Sequence, residues 1–274
     1  MPSPNAITPE KLARLVGTPK CPLVVDVRDQ QGRNADTPFV PGAVRRPAAA
    51  VAEWAPALAG CSAIVVCDNG RELSEGVAAW LRHAGAAADV LDGGHAAWVA
   101  AGLPTVSGAK LPPCDALGRT VWVTRSRPKV DRIACPWLIR RFVDPAAVFL
   151  FVAPAEVEAV ADRFGAAPFD VEGVFWTHRG DRCTFDTLVD ELGLDTPPLR
   201  RLATIVRGAD TARPDLAPEA PGLLALSLGL SRLHADDLEQ LDAGLALYDA
   251  FYRWCRDATG ETHDWPVRKG EAAR

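Results

Sequence analysis

Apolar runs that end at polar loops mark the predicted strands in the first half of the chain. One run, over residues 63–66, ends at Cys67, and a polar loop over residues 68–73 follows it. The pattern after the loop predicts a helix from Ser74 to Gly85, because glycine commonly stands just past a helix end. The thiol of Cys67 is therefore placed between a strand end, a tight loop and a helix start.

The second half begins with a predicted strand, a basic loop and an amphipathic helix. The strand covers residues 120–124, the loop 125–129 and the helix 131–142, with Asp131 as the helix N-cap. Further along, the pattern predicts strands over residues 147–152 and 173–177, and helices over residues 155–164, 185–192, 198–208, 223–230 and 236–257. This order predicts an α+β domain with a small sheet and several C-terminal helices.

A stretch with glycine and a pair of prolines, residues 107–115, separates the two halves and favours a loop. A chain of 274 residues is also long enough for two domains. We therefore predict a first domain over residues 1–107, a linker over 108–117, a second domain over 118–265 and a polar tail over 266–274.

Composition and charge narrow the possible classes of protein. The chain is 48% hydrophobic and 24% charged, as in ordinary globular proteins, and no apolar stretch reaches the length of a membrane span. A net charge of −5 argues against a nucleic-acid partner. The first 30 residues lack a signal-peptide pattern, and the 7 cysteines are widely spaced without a CxxC motif. We expect a cytoplasmic protein with reduced thiols and no membrane partner.

Cys67 is the strongest candidate nucleophile. Loop amides and a helix N-terminus lower the pKa of a thiol, and the thiolate is the reactive form. Arg71 and the loop amides, including that of Gly70, can hold an anion next to the sulfur. We predict Cys67 and Arg71 as catalytic residues and Gly70 as an oxyanion-binding residue. The alternative is that Cys67 is a buried structural cysteine.

Arginines gather around the basic loop of the second half, where we predict an oxyanion site at Arg125, Arg127 and Arg132. Each guanidinium can donate two parallel hydrogen bonds to a tetrahedral oxyanion, and the amides of the following helix point the same way. The alternative is a solvated basic face that is paired with the acidic residues of the chain.

His178 is a candidate metal ligand at the end of the predicted strand over residues 173–177. Asp186 follows eight residues later on the first turn of a helix, and Asp210 lies just past another helix end. One imidazole and two carboxylates can bind a divalent metal, which is therefore a possible cofactor. The spacing is not that of a zinc motif. In the alternative, Asp186 caps its helix, Asp210 forms a turn and His178 is an ordinary imidazole.

The first half resembles a rhodanese domain. The matching features are the apolar run over residues 23–28 with Asp26 and Arg28 at its end, the Pro-Gly-Ala turn over residues 41–43, the Cys67 loop, and the closing segments over residues 91–94 and 98–104. The resemblance implies an α/β fold with a parallel sheet. It also implies sulfur transfer through a persulfide on Cys67, with thiosulfate or a persulfide as donor, while Asp26 and Arg28 brace the fold.

Three features depart from the usual rhodanese pattern. The loop from Cys67 to Ser74 is one residue longer, and Phe39 stands where a histidine is usual. Asp68 and Glu72 also place acid beside a site for anions. A domain kept only as a binding module is therefore the alternative to an enzyme.

The second half resembles the C-terminal domain of chromate-resistance proteins of the ChrB type. The matching stretches are residues 130–142, 177–180, 183–185, 205–210 and 248–255. The resemblance implies a role in resisting chromate, as a regulator or as an accessory protein, with chromate or sulfate as possible ligands. Regulators of this family carry a different N-terminal domain, so DNA binding is not expected here. A non-enzymatic chromate-responsive regulator and a metalloenzyme with an unassigned reaction remain alternatives.

Overall fold

The computed structural model describes residues 5–28 and 37–263. The strands of the first half are β1 (Ala6–Ile7), β2 (Leu23–Asp26), β3 (Ala43–Arg45), β4 (Ser62–Val66) and β5 (Ala87–Leu91), and its helices are α1 (Pro9–Ala13), α2 (Val51–Trp54), α3 (Glu72–His83) and α4 (Gly94–Ala100). The strands form one sheet in the order β1-β5-β4-β2-β3, and every pair is parallel. The predicted α/β fold with a parallel sheet is confirmed.

Strand β4 lies in the middle of this sheet, between β5 and β2. All four residues from Ala63 to Val66 are buried. A strand covered on both faces needs a continuous apolar run rather than an alternating one, which is why this strand was visible in the sequence. Cys67 follows directly at the carboxyl end of the strand.

Helix α3 begins at Glu72, two residues before the predicted start, and ends at His83. Arg71 takes the N-cap position, although its side chain makes no capping hydrogen bond. The hydroxyl of Ser74 instead donates to the carbonyl oxygen of Arg71 at 3.1 Å, from within the first turn of the helix. The loop after Cys67 is therefore shorter than the sequence pattern predicts.

The second half combines a small parallel sheet with several helices, which confirms its predicted fold class. Its strands are β6 (Val121–Arg125), β7 (Val148–Val152) and β8 (Ala167–Pro168), and its helices are α5 (Asp131–Leu138), α6 (Val157–Phe164), α7 (Thr184–Glu191), α8 (Pro197–Asp210), α9 (Ala220–Leu233) and α10 (Asp237–Asp257). Strand β6 pairs with β7 on one side and β8 on the other.

The strand predicted over residues 173–177 is wrong, because β8 is the third strand of this sheet. The chain turns at Gly173, whose φ is +81°. Within the predicted strand, Trp176 makes only an isolated bridge to Phe169. Trp176 packs in the core instead, where the centroid of its ring lies 5.7 Å from that of Trp122.

Helix α5 differs from its prediction at both ends. Asp131 is its first residue rather than its N-cap, and the N-cap position belongs to Val130. At the other end, the helix continues as a π-helical turn over Ile139–Val143. Because Asp131 does not cap the helix, its carboxylate is available for other contacts.

The two halves share an apolar core. The largest buried cluster joins Leu12 and Phe39 of the first half to Trp137 and Phe142 of the second. The amide of Gly42 donates to the carbonyl oxygen of Phe142 at 2.6 Å across the same boundary. The predicted tail over residues 266–274 lies outside the described residues. Within the two described stretches, no helix combines the length and the apolar character needed to cross a membrane.

Candidate functional sites

Cys67 is almost fully buried, with 2% of its surface exposed, at the carboxyl edge of the first sheet. The amide of Gly70 donates to its Sγ at 3.2 Å. The same Sγ lies 3.2 Å from Ser74 Oγ and 3.6 Å from Asn69 Oδ1. The sulfur is therefore enclosed by the loop that follows it and by the first turn of α3.

These contacts lower the pKa of the Cys67 thiol. Burial is the largest single influence and raises the pKa, because it disfavours the charged form. Hydrogen bonds from the hydroxyl of Ser74 and from backbone amides of Arg71, Asn69 and Ser74 act in the opposite direction and together outweigh it. The predicted thiolate-stabilising environment is therefore present around this sulfur.

Two glycines allow the Cys67 loop to pack against the turn before α4. Gly70 has φ +69°, and a Cβ on it would stand 2.5 Å from the carbonyl oxygen of Leu91. Gly94 has φ +61°, and a Cβ on it would stand 2.4 Å from the carbonyl oxygen of Cys67. The amide of His95 donates to that same oxygen at 2.8 Å. The loop is thus fixed from both sides, and the amide of Gly70 is held toward the sulfur.

Arg71 has an exposed side chain at the start of α3. Its guanidinium has no hydrogen-bond or ion-pair partner within residues 5–28 and 37–263. Asp68 and Glu72 are exposed on either side of it. Arg71 is therefore free to turn toward an anion that approaches the sulfur, in competition with its two acidic neighbours.

A second site forms around the imidazole of His178. Its Nε2 lies 3.1 Å from Asp210 Oδ2, 3.4 Å from Asp170 Oδ1 and 3.5 Å from Asp131 Oδ2. Asp131 begins α5, Asp170 follows β8 and Asp210 ends α8. The structure thus brings together two of the three predicted metal ligands, His178 and Asp210, and adds two carboxylates that sequence reasoning missed.

Asp186, the third predicted ligand, is not part of this group. Its Oδ2 accepts the amide of Cys183 at 3.1 Å, which caps α7. Its carboxylate also meets the guanidinium groups of Arg207 at 3.4 Å and Arg182 at 3.5 Å. The alternative interpretation of Asp186 as a helix cap is the one that the structure supports.

Burial, neighbouring charges and hydrogen bonds raise the pKa of both Asp131 and His178 in this site. Asp131 is completely buried, and its burial and the nearby charge of Asp210 raise its pKa to about 7. Hydrogen bonds to Asp131, Asp170 and Asp210 raise the pKa of His178 to about 12. Without another cation, the imidazole must therefore carry a positive charge to balance the carboxylates.

Two of the three predicted oxyanion-binding arginines reach this site. Arg125 Nη2 and Arg132 Nε contact Asp170 Oδ2 at 3.1 and 3.3 Å. Arg132 also donates to the carbonyl oxygens of Arg125 and Ser126, at 3.1 and 2.9 Å. Both guanidinium groups thus hold the carboxylate of Asp170 in place at the edge of the site.

Arg127 turns away from the other two arginines. Its guanidinium donates to backbone carbonyl oxygens of Ser231, in the last turn of α9, and of His234, just after that helix. Its amide donates to Asp237, and its φ is +56°. The contacts of Arg127 fix the loop to the C-terminal helices, and it is not part of the cluster at Asp170.

The missed residues left only weak signals in the sequence. Asp131 was visible as the first polar residue of a helix, but that position is equally typical of a cap. Asp170 ends a short apolar stretch, where its φ of +52° turns the chain. Neither signal indicates which other carboxylates lie nearby.

Comparison with known proteins supports the predicted resemblance of the second half. Residues 122–255 match the family model described as ChrB, C-terminal domain, and His178 and the three carboxylates around it lie in this stretch. Protein ChrB of Cupriavidus metallidurans is 39% identical over 133 residues, which is 48% of this chain and 39% of that protein. The matched part therefore spans about two fifths of the curated relative. The predicted ChrB-type second half is confirmed.

The first half has rhodanese-like neighbours among solved structures. A thiosulfate sulfurtransferase from Pseudomonas aeruginosa is 27% identical over 40% of this chain and 20% of its own, with a TM-score of 0.33. A rhodanese-related protein from Thermoplasma volcanium is 21% identical over 37% of this chain and 97% of its own, with a TM-score of 0.33. A rhodanese-like domain protein from Staphylococcus aureus is 24% identical over 34% of this chain and 90% of its own, with a TM-score of 0.31.

Proposed function

We propose that this chain is a chromate-resistance-associated protein of the cytoplasm whose first half transfers sulfur through a persulfide on Cys67. The match of residues 122–255 to the ChrB C-terminal domain supports the link to chromate. The observation that carries the proposed transfer is the contact of 3.2 Å between the amide of Gly70 and the sulfur of Cys67. A donor at that position stabilises a negative charge on the sulfur.

In the proposed reaction, the thiolate of Cys67 attacks the outer sulfur of thiosulfate. A new S–S bond forms on Cys67 while the S–S bond of the donor breaks, and sulfite leaves with the bonding electron pair. An acceptor such as cyanide or a thiolate then attacks the outer sulfur of the persulfide, and Cys67 leaves again as a thiolate. A persulfide donor in place of thiosulfate would leave as its own thiolate.

Residues of the loop fit separate steps of this reaction. The amide of Gly70 holds the sulfur while it carries charge, before the attack and after the transfer. Arg71 has a guanidinium free to pair with the leaving anion. A cavity of about 610 Å³, lined by Arg28, Glu72 and Trp80 among others, opens beside the first turns of α3.

The experiment that tests this proposal is sulfur transfer from thiosulfate to cyanide by the full chain. We expect thiocyanate from wild type and from Cys61→Ser, which removes an exposed thiol outside the loop. We expect none from Cys67→Ser, and mass spectrometry after thiosulfate treatment should show one added sulfur atom on the Cys67 peptide only. Unchanged turnover in a folded Cys67→Ser protein, or none in wild type, would reject it.

A second candidate is a non-enzymatic regulator that responds to chromate. One observation favours it: the side chain of Arg125 is 40% exposed, and its Nε has no hydrogen-bond partner among the described residues. The guanidinium therefore keeps one donor for an added oxyanion. This hypothesis predicts that chromate or sulfate binds to the second half and that Arg125→Ala weakens the binding. Cys67→Ser would leave the binding unchanged. In a gel-shift assay at moderate salt, we expect no binding of promoter DNA by this chain.

A further inference from the structure

We propose that a divalent transition-metal ion binds in the second half of the chain, held by one imidazole and two carboxylates: His178, Asp131 and Asp170. The carboxylate of Asp210 lies beside His178 and adds negative charge to the site. This site goes beyond the proposed sulfur transfer and does not depend on Cys67. Its three ligands come from separate segments that meet near α5, α7 and α8.

The hydrogen-bonding capacity of His178 is too small for its surroundings. Its Nε2 carries at most one hydrogen, yet three carboxylate oxygens face it at 3.1, 3.4 and 3.5 Å. An N–H···O hydrogen bond is usually about 2.7–3.2 Å long, so one of these three distances is suited to it. The other two oxygens converge on a nitrogen that cannot donate to them.

Asp131 provides a second, independent observation. Its side chain is 0% exposed, and its Oδ1 has no hydrogen-bond partner among the described residues. Its Oδ2 already accepts the amide of Thr184 at 2.6 Å. A buried carboxylate oxygen without a partner is costly, and buried charges are normally paired or bound to metals. A cation bound by this carboxylate compensates for its buried negative charge.

The distances between His178 Nε2 and the carboxylate oxygens suit metal coordination better than hydrogen bonding. When ligand atoms lie about 2.1 Å from a metal, neighbouring atoms stand roughly 3.0 Å apart in an octahedron and roughly 3.4 Å apart in a tetrahedron. The three distances from His178 Nε2 fall in or next to this interval. One donor atom each of Asp131, Asp170 and His178 also lies within 4.8 Å of the others.

Outer contacts already orient two of the carboxylates toward the centre. Asp170 directs Oδ1 to His178, while Arg125 and Arg132 hold Oδ2. Asp210 directs Oδ2 to His178, while its Oδ1 lies 3.5 Å from the amide of Asp131. Such outer hydrogen bonds fix the direction of metal ligands in proteins.

The donor set indicates which ions fit. Imidazole favours zinc, iron, nickel and copper, whereas carboxylates favour manganese, magnesium and calcium. One imidazole with two carboxylates is best matched by Mn²⁺, Fe²⁺ or Zn²⁺. The side chain of His178 is 39% exposed, which gives the ion a path from solvent.

The test is metal binding by the purified full chain after removal of metals with a chelator. Titration with Mn²⁺ and with Zn²⁺ should show one tight site per chain in wild type, together with a rise in melting temperature. Asp131→Asn and His178→Gln should each weaken binding by about 100-fold or more, since they remove a direct ligand. With Co²⁺ as probe, the visible absorption of the bound ion should be lost in His178→Gln.

Matched variants test whether the metal binds at these three residues. Asp186→Asn replaces a buried aspartate of the same half outside the cluster and should bind metal as wild type does. If the Asp131→Asn variant does not fold, Asp170→Asn tests the other carboxylate ligand. Equal binding by wild type and the folded ligand variants would overturn the proposal. Cys67→Ser should keep full metal affinity, so a failure of the proposed sulfur transfer would be seen separately.

Discussion

The backbone of Gly17 lies directly against the ring of Phe142. A Cβ on Gly17 would stand 2.3 Å from Cζ of that ring and 2.9 Å from a ring carbon of Tyr252. Gly17 belongs to the first half, whereas both aromatic residues belong to the second. The absence of a side chain at this one position therefore allows the two halves to pack closely.

We predict that Gly17→Ala is more destabilising than Gly60→Ala. The two glycines have nearly the same φ, +75° and +78°, but a Cβ on Gly60 would meet nothing within 4 Å. Both substitutions carry the cost of a left-handed backbone, and only Gly17→Ala adds overpacking, worth about 1–3 kcal/mol. Urea unfolding measures the difference, and the shared core predicts one common transition. Equal losses would contradict close packing at Gly17.

A second prediction concerns the glycine of the Cys67 loop. Gly70→Ala should lower the free energy of unfolding by more than about 1 kcal/mol, because the position has φ +69° and a Cβ would clash with the backbone of Leu91. Gly76→Ala is the control within α3, where a Cβ meets nothing within 4 Å. It should be neutral or stabilising by up to about 1 kcal/mol. Similar stabilities of the two variants would argue against the tight packing of the loop.

The lowered pKa of Cys67 predicts how its reactivity depends on pH. Because the thiolate is the reactive form, its alkylation rate should rise with pH and level off below the pH expected for an ordinary thiol. Ser74→Ala removes a hydrogen bond that lowers this pKa, so the rise should move to higher pH. Iodoacetamide labelling, followed by mass spectrometry of the Cys67 peptide, measures both profiles. Ser62→Ala, at the exposed start of β4, should retain the wild-type profile.

The pair of Asp26 and Arg28 should be important for stability. Its side chains are 1% and 2% exposed, with a closest distance of 2.7 Å between them. Asp26→Asn leaves the buried guanidinium without its counter-ion and should cost about 3–5 kcal/mol of unfolding free energy. Asp215→Asn, which removes the exposed partner of Arg213, should cost less than about 1 kcal/mol. A small loss in Asp26→Asn would show that this pair does not brace the fold.

Local sequence signals predicted the helices and strands more accurately than they predicted the contacts between residues far apart along the chain. The run before Cys67 was identified because a strand buried on both faces must be apolar throughout. Helix α10 was predicted to within one residue, since Asp236 caps it through the amides of Leu238 and Glu239. The strand over residues 173–177 was wrong: of its apolar residues only Trp176 is buried, and it serves packing rather than sheet pairing.

The sequence by itself determined most of the helices of the second half and the buried strand β4 that ends next to Cys67. These properties depend on neighbours within a few residues, such as the amide of Gly70 at the sulfur of Cys67. Only the tertiary structure decided that Asp131 and Asp170, rather than Asp186, surround His178. Residues far apart along the chain meet only when α5, α7 and α8 pack, and that packing sets the direction of each carboxylate. The shared core of the two halves arises for the same reason, because it depends on contacts such as that between Gly17 and Phe142.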